Sequence, residues 1–368
     1  MNKMKWVPFL IIASLQALAA NAFATTEDPG DVSVYSAGSE AELIEPVYPT
    51  YPRSARRRGI EGWVVLGFRI NELGETERVI ILDQSIDDIF EKSAISAIEQ
   101  RRYRPATQNG EPIPQERNSV RLLFNLGRGA EQGVSRQFAV GYGNALDAIV
   151  EGDLQDAGER IEKLEGRKTN SLLVEVAYLD YLKGLYWQKK GDPIKALRHY
   201  SRSLTISEFL PDEIHVNLLR FAMSLSLEFK HYLDFLELYE ELKQVDSDLA
   251  HNDDIHRVAQ QVEAFLRGDS PFAVGGEISS QCRTCEREAY FWSHELARPS
   301  FLIHEVKGEI TSINLRCGFK VVSLEYEPNM VWTSNKEWGD CNVEVQGTQG
   351  TSFKLVEVQN ANSLTGSE

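Results

Sequence analysis

Beyond its first two dozen residues, this 368-residue sequence contains no apolar run approaching the twenty or so residues that a membrane-spanning helix needs, which excludes a polytopic membrane protein. It has no excess of positive charge either. The formal net charge is −16, and a chain of that sign repels phosphate backbones, so nucleic acid is set aside as a partner. Catalytic signatures are missing as well: there is no Gly-x-Ser-x-Gly elbow, no phosphate loop and no dinucleotide fingerprint. The seven histidines are scattered, and none forms the two-on-one-face pair of a metalloenzyme. Accordingly no catalytic residue, metal ligand or cofactor is assigned, and a non-enzymatic protein is expected. The glycine pair Gly141 and Gly143 is too isolated to be a nucleotide loop and reads as a loop ahead of a helix. Asp253 and Asp254 read as a helix start rather than an acid pair.

Cysteine is confined to the end of the chain. All four, Cys282, Cys285, Cys317 and Cys341, lie in the last quarter. Only the first two have C-x-x-C spacing, which argues against a four-cysteine zinc site. No βαβ pattern surrounds Cys282 and Cys285, so a structural disulfide is preferred to a redox dithiol. The N-terminus supplies the compartment: Lys3 and Lys5, an apolar run from Val7 to Leu18 and Ala22-Phe23-Ala24 have the form of a cleaved secretory signal over residues 1–24. The alternative is an uncleaved inner-membrane anchor from Trp6 to Ala24, which Pro8, Ser14, Gln16 and Asn21 weaken. An even cysteine count in an exported chain predicts two disulfides. Three connectivities are possible, and proximity in sequence favours Cys282–Cys285 and Cys317–Cys341.

The rest of the chain reads as a multidomain α+β protein. Residues 25–44 are rich in Gly, Ser and acids without a period, and are expected to be a flexible leader. Within residues 45–127, Val64, Leu66, Phe68 and Ile70 alternate along "WVVLGFRI", and "NELGE" turns the chain into "RVIILD", which predicts a hairpin. Phe90, Ala94 and Ile98 at four-residue spacing predict a helix ending before Pro105. Val120, Leu122, Phe124 and Leu126 then alternate in a third strand, so the order is strand, strand, helix, strand. Residues 135–268 are helical and repeat at 39 residues: "GDLQDA" at Gly152, "GDPIKA" at Gly191 and the weaker "KHYLDF" at Lys230 keep step with Ile161, Tyr200 and Tyr239. This predicts three helical hairpins in a solenoid, whose many aromatics are chiefly core packing. Residues 275–358 read as a small disulfide-containing all-β domain, and residues 359–368 as a polar tail.

Residues 46–126 resemble the C-terminal domain of the TonB family. The likeness rests on Tyr51-Pro52, "RRRGIEGWVVLGFRI" with Gly59 and Gly62, the turn glycine of "NELGE", "SAISAIEQRRYRPATQNGEPIP" and "RLLFNL". It implies a small antiparallel sheet backed by a helix, which takes up extended peptides of outer-membrane receptors as an added strand. By that resemblance Ser119 to Leu126 is the favoured partner strand. If Val120, Leu122, Phe124 and Leu126 face the helix, then Arg121, Leu123 and Asn125 take the other face, and Ser119, Arg121, Leu123 and Asn125 are the candidate partner-binding residues. The competing reading is that the following helices cover this edge. Transducers of the family carry a retained membrane helix and a long spacer ahead of this module; here it follows a leader that, fully extended, reaches at most about 70 Å. "GLYWQKKGDPIKALRHY" resembles the tetratricopeptide repeat at Gly184, Trp187, Gly191, Ala196 and Tyr200, although the step of 39 exceeds that repeat's usual 34. The basic run Arg56-Arg57-Arg58 reads as a solvated face with Glu61 near enough to pair with one of its members.

These readings imply a non-enzymatic periplasmic scaffold binding an envelope protein or an outer-membrane receptor peptide. Membrane association is expected only if the N-terminal helix is retained. The alternatives are a membrane-anchored energy transducer and a C-x-x-C thiol oxidoreductase.

Overall fold

The period-two pattern of "WVVLGFRI" forms the middle strand of a sheet in the computed structural model, which describes residues 39–359 except 87, 128–132, 167–171, 251–252, 279, 282–289 and 329. The expected signal segment, most of the leader, Cys282, Cys285 and nearly all of the tail lie outside the described residues. The first segment contains β1 (Glu42–Glu45), α1 (Arg53–Arg58), β2 (Gly62–Ile70), β3 (Thr76–Gln84), α2 (Glu91–Glu99), β4 (Arg102–Arg104), β5 (Ala106–Gln108), β6 (Glu111–Ile113) and β7 (Gln115–Phe124). An antiparallel sheet of order β3-β2-β7 carries α2 on one face, where Val64, Leu66, Phe68, Ile70, Phe90, Ala94, Ile98, Leu122 and Phe124 form the core. The turn between β2 and β3 needs glycine: Gly74 has φ 79°, and a β-carbon there would lie 1.8 Å from the Tyr103 carbonyl oxygen.

Several details depart from the sequence reading. The end of the expected flexible leader is ordered by pairing, since β1 pairs with β4 and Ser39 bridges Thr107. The stretch after α2 is not a plain loop but supplies β4, β5 and β6; pieces of three residues are too short to show a period. Strand β7 ends at Phe124, before Leu126.

The helical segment contains α3 (Arg136–Glu151), α4 (Leu154–Glu165), α5 (Leu173–Lys190), α6 (Pro193–Leu204), a 3-10 turn at Ser207–Phe209, α7 (Asp212–Glu228), α8 (Tyr232–Val245), α9 (Ser247–Ala250) and α10 (Asp253–Arg267). Helices α3 and α4, α5 and α6, and α7 and α8 pack as hairpins. Their turns fall at the 39-residue step, and Gly152, Gly191 and Lys230 there all take left-handed backbone, with φ 85°, 81° and 62°. After each glycine an aspartate caps the next helix, Asp153 accepting from the Asp156 amide and Asp192 from the Lys195 amide. Ile161, Tyr200 and Tyr239, also in step, are buried on the second helix of each hairpin. One expectation is corrected: Gly141 and Gly143 do not form a loop but lie inside α3, where Ser135 caps the helix start and the apolar period runs through them.

The last segment is a two-layer sandwich of β8 (Phe272–Glu277), β9 (Ser280–Gln281), β10 (Tyr290–Glu295), β11 (Ser300–Lys307), β12 (Ile310–Cys317), β13 (Val321–Leu324), β14 (Val331–Thr333), β15 (Cys341–Gly347) and β16 (Ser352–Val358). One antiparallel sheet has the order β13-β12-β15-β10-β9 and the other β14-β11-β16-β8. Phe301, Ile303, Phe353 and Leu355 of the second meet Ile313, Leu315, Val343 and Val345 of the first in one core. Cys317 and Cys341 are disulfide-bonded directly across β12 and β15.

Candidate functional site: the outer edge of β7

Among the described residues strand β7 has β2 on one side and no neighbouring strand on the other within its sheet. The direction of its backbone groups follows from β2. Trp63 donates its amide to Ser85 Oγ at 2.8 Å and accepts the Ser85 amide at 3.0 Å, so both its backbone groups point to β3. Alternation turns Gly62, Val64 and Leu66 towards β7, opposite Phe124, Leu122 and Val120. The amides and carbonyls of Ser119, Arg121 and Leu123 therefore project from the outer edge, where an added strand would pair. Ser119, Arg121 and Asn125 are exposed, whereas Leu123 is half-buried.

The edge is bounded at both ends. At its start the register slips between Gln115 and Asn118, and the Asn118 amide side chain fills the bulge by donating to the Gln115 carbonyl at 2.9 Å. There the Glu116 amide donates to the Gly318 carbonyl of the sandwich at 2.6 Å. Arg117 reinforces this junction, donating to the Asp340 carbonyl at 3.1 Å and pairing with Glu295 at 3.6 Å. At the far end the Leu126 amide donates to Glu61 Oε1 at 3.0 Å, while Glu61 Oε2 accepts the Leu173 amide at the start of α5. Glu61 is thus a buried clasp between the first two segments, its two carboxylate oxygens each accepting a backbone amide. Arg56 lies over the Tyr51 ring at 5.6 Å.

The face of the sheet opposite α2 is also covered. Trp63, Val65 and Leu123 join Leu173, Ala177, Tyr181, Ala196 and Tyr200 in one apolar cluster, and Trp63 is fully buried. Arg202 of α6 stacks over Trp63 at 5.1 Å and donates to Asp83 and to the Gln84 carbonyl of β3. Arg121 pairs with Glu208 of the 3-10 turn at 2.9 Å. The helices therefore cover the face of β7, and among the described residues the sandwich meets its edge at the start, at Glu116 and Arg117. Apolar Trp63 and Val65 on the supposed outer face were the signal for this second burial.

Asp180 of α5 supports the same contact from below. Burial by itself would push its carboxyl up, but the hydrogen bond with His199 Nδ1 at 2.8 Å and the nearby Arg202 outweigh that and hold it below the ordinary carboxylate range.

Residues 47–126 match the sequence model of the family described as Gram-negative bacterial TonB protein C-terminal. Over 80 residues the chain is 36% identical to Protein TonB of Vibrio cholerae serotype O1, a match covering 22% of this chain and 32% of the relative. The match thus spans about a third of that relative's length. Among solved structures, the solution NMR structure of the Pseudomonas aeruginosa TonB CTD is 24% identical, with 25% of this chain and 91% of that one covered and a TM-score of 0.23. The TonB2 protein of Vibrio anguillarum is 28% identical, with 30% and 100% covered and a TM-score of 0.21. On the family match and the curated relative, residues 47–126 are similar to the TonB C-terminal domain.

Proposed function

We propose that this chain is a non-enzymatic periplasmic interaction protein whose TonB-like module takes up an extended peptide of an envelope or outer-membrane partner as a strand beside β7. The observation that carries this reading is the unpaired outer edge at Ser119, Arg121 and Leu123, bounded by the sandwich at Glu116 and by Glu61 at Leu126. Three outward-facing residues admit a segment of roughly five to seven residues, with main-chain hydrogen bonds supplying affinity and alternate side chains supplying selectivity. The helical hairpins act as a tetratricopeptide-like scaffold, a reading supported by the 39-residue step and by the close approach of Gly184 to Tyr200.

Ser119→Pro tests the edge with little risk to the fold, because Ser119 is exposed and its amide points away from β2. The variant is expected to lose the envelope proteins that the full chain retains from detergent-solubilised outer membrane. Partner binding should also slow amide exchange at Arg121 and Leu123. Retention of the same proteins by a folded Ser119→Pro chain would place the site elsewhere.

A further inference from the structure

Helices α3 and α4 enclose an open groove of about 540 Å³ whose lining shares no residue with the β7 edge. Its lining is unusual for this protein. The chain as a whole carries 55 acidic against 39 basic side chains, yet Arg136, Arg160 and Lys163 converge on this groove. Arg160 pairs with Asp156 one turn away on its own helix. Neither Arg136 nor Lys163 forms an ion pair among the described residues. Between the cations the groove offers Val140, an apolar side chain left 58% exposed, and the amide of Asn144.

Gly141, which the sequence had suggested lay in a loop, lines this groove from the middle of α3. An interior helical glycine weakens a helix relative to alanine, and here it leaves the groove open where a side chain would project. A cleft with cations along its sides, Val140 and Leu164 as apolar contacts and the side-chain amides of Gln137 and Asn144 has the chemistry to hold an extended backbone bearing carboxylates.

We propose that this groove docks an acidic peptide segment of a partner protein, with Arg136 and Lys163 meeting its carboxylates and Val140 an apolar side chain between them. Charge selects this occupant. A chain of net charge −16 is repelled by an anionic membrane, whereas a few carboxylates on a narrow peptide feel chiefly the local cations.

The test uses the full chain and a fluorescein-labelled octapeptide of alternating glutamate and valine, with its glutamine counterpart as control. The glutamate peptide is expected to bind with an affinity that falls as salt rises. Reversing both free cations, in Arg136→Glu with Lys163→Glu, should weaken it about tenfold or more, since attraction becomes repulsion. Gly141→Leu should block binding while leaving helical content unchanged and thermal stability equal or higher. If that variant misfolds, the exposed double reversal still decides the matter. Equal binding of the glutamine peptide, or unaltered binding by the double reversal, would overturn the proposal. Sedimentation of the chain with phosphatidylglycerol vesicles, or self-association abolished by the same reversals, would replace the peptide by a membrane or by a second copy.

Discussion

Gly184 shows how narrowly one residue controls the helical array. A β-carbon there would lie 2.3 Å from the Tyr200 ring, closer than packed atoms approach, so α5 and α6 meet at a distance that only glycine permits. Alanine would raise the intrinsic helix propensity of α5 by about 1 kcal/mol. Overpacking should outweigh that gain, and Gly184→Ala is expected to lose about 1–3 kcal/mol net in chemical denaturation followed by circular dichroism. Unchanged stability would show that Tyr200 can move aside. This position was legible in the sequence because Gly184 and Tyr200 fell at small and aromatic positions of the pattern that resembles the tetratricopeptide repeat. Glu61 was not. A glutamate after a run of arginines looks like a surface partner, and only the arrival of α5 beside the sheet gives it the Leu126 and Leu173 amides to satisfy.

Among elements, the contact of α5 and α6 with β3 is held by Asp180, His199, Arg202 and Asp83. The folded Asp180 carboxyl lies below its ordinary value of 3.8, so its contribution is fully present above that pH and is lost as pH falls through the folded value. Asp180→Asn should therefore be less stable than the parent near neutrality, and the difference should shrink as the pH is taken below about 4. Denaturation midpoints measured from pH 7 down to pH 3 check this, and a constant difference would assign the Asp180 effect to packing alone. Strands β2 and β7 were legible as elements, and so was the face that packs on α2, because alternation is a local property. Their second face was assigned to a partner or to solvent. Trp63 is instead buried, and Val65 and Leu123 partly covered, by helices more than forty residues further along.

For the molecule as a whole, the disulfide sits at a junction rather than merely within the sandwich. Gly318 follows Cys317 and Asp340 precedes Cys341, and their carbonyl oxygens accept from the Glu116 amide and the Arg117 guanidinium of β7. Closing a loop of 24 residues contributes about 3 kcal/mol in the chain-entropy account. Reduction should therefore unfold the sandwich before the helices and speed exchange of the Glu116 amide ahead of those in β2. Hydrogen exchange with and without reductant reads both, and a Glu116 amide indifferent to reduction would uncouple the disulfide from the module. The three segments share one compact unit, Ala37–Glu368, so motion at this junction bears on the edge that β7 offers.

Local pattern by itself determined β2, β3, α2 and β7 in that order, the 39-residue step and the core face of the first sheet, and proximity in sequence favoured the pairing of Cys317 with Cys341. Each is set by neighbours in sequence or by a spacing that repeats. The short strands β4 to β6, the burial of Trp63, the clasp at Glu61, the continuous helix through Gly141 and the sandwich contact that bounds β7 were decided by tertiary structure. In these the deciding partner lies far away in the chain, or the strand is too short to show a period, as in β5 and β6, or an interior helical glycine is tolerated because the rest of the helix is packed. None of these leaves a period in the sequence.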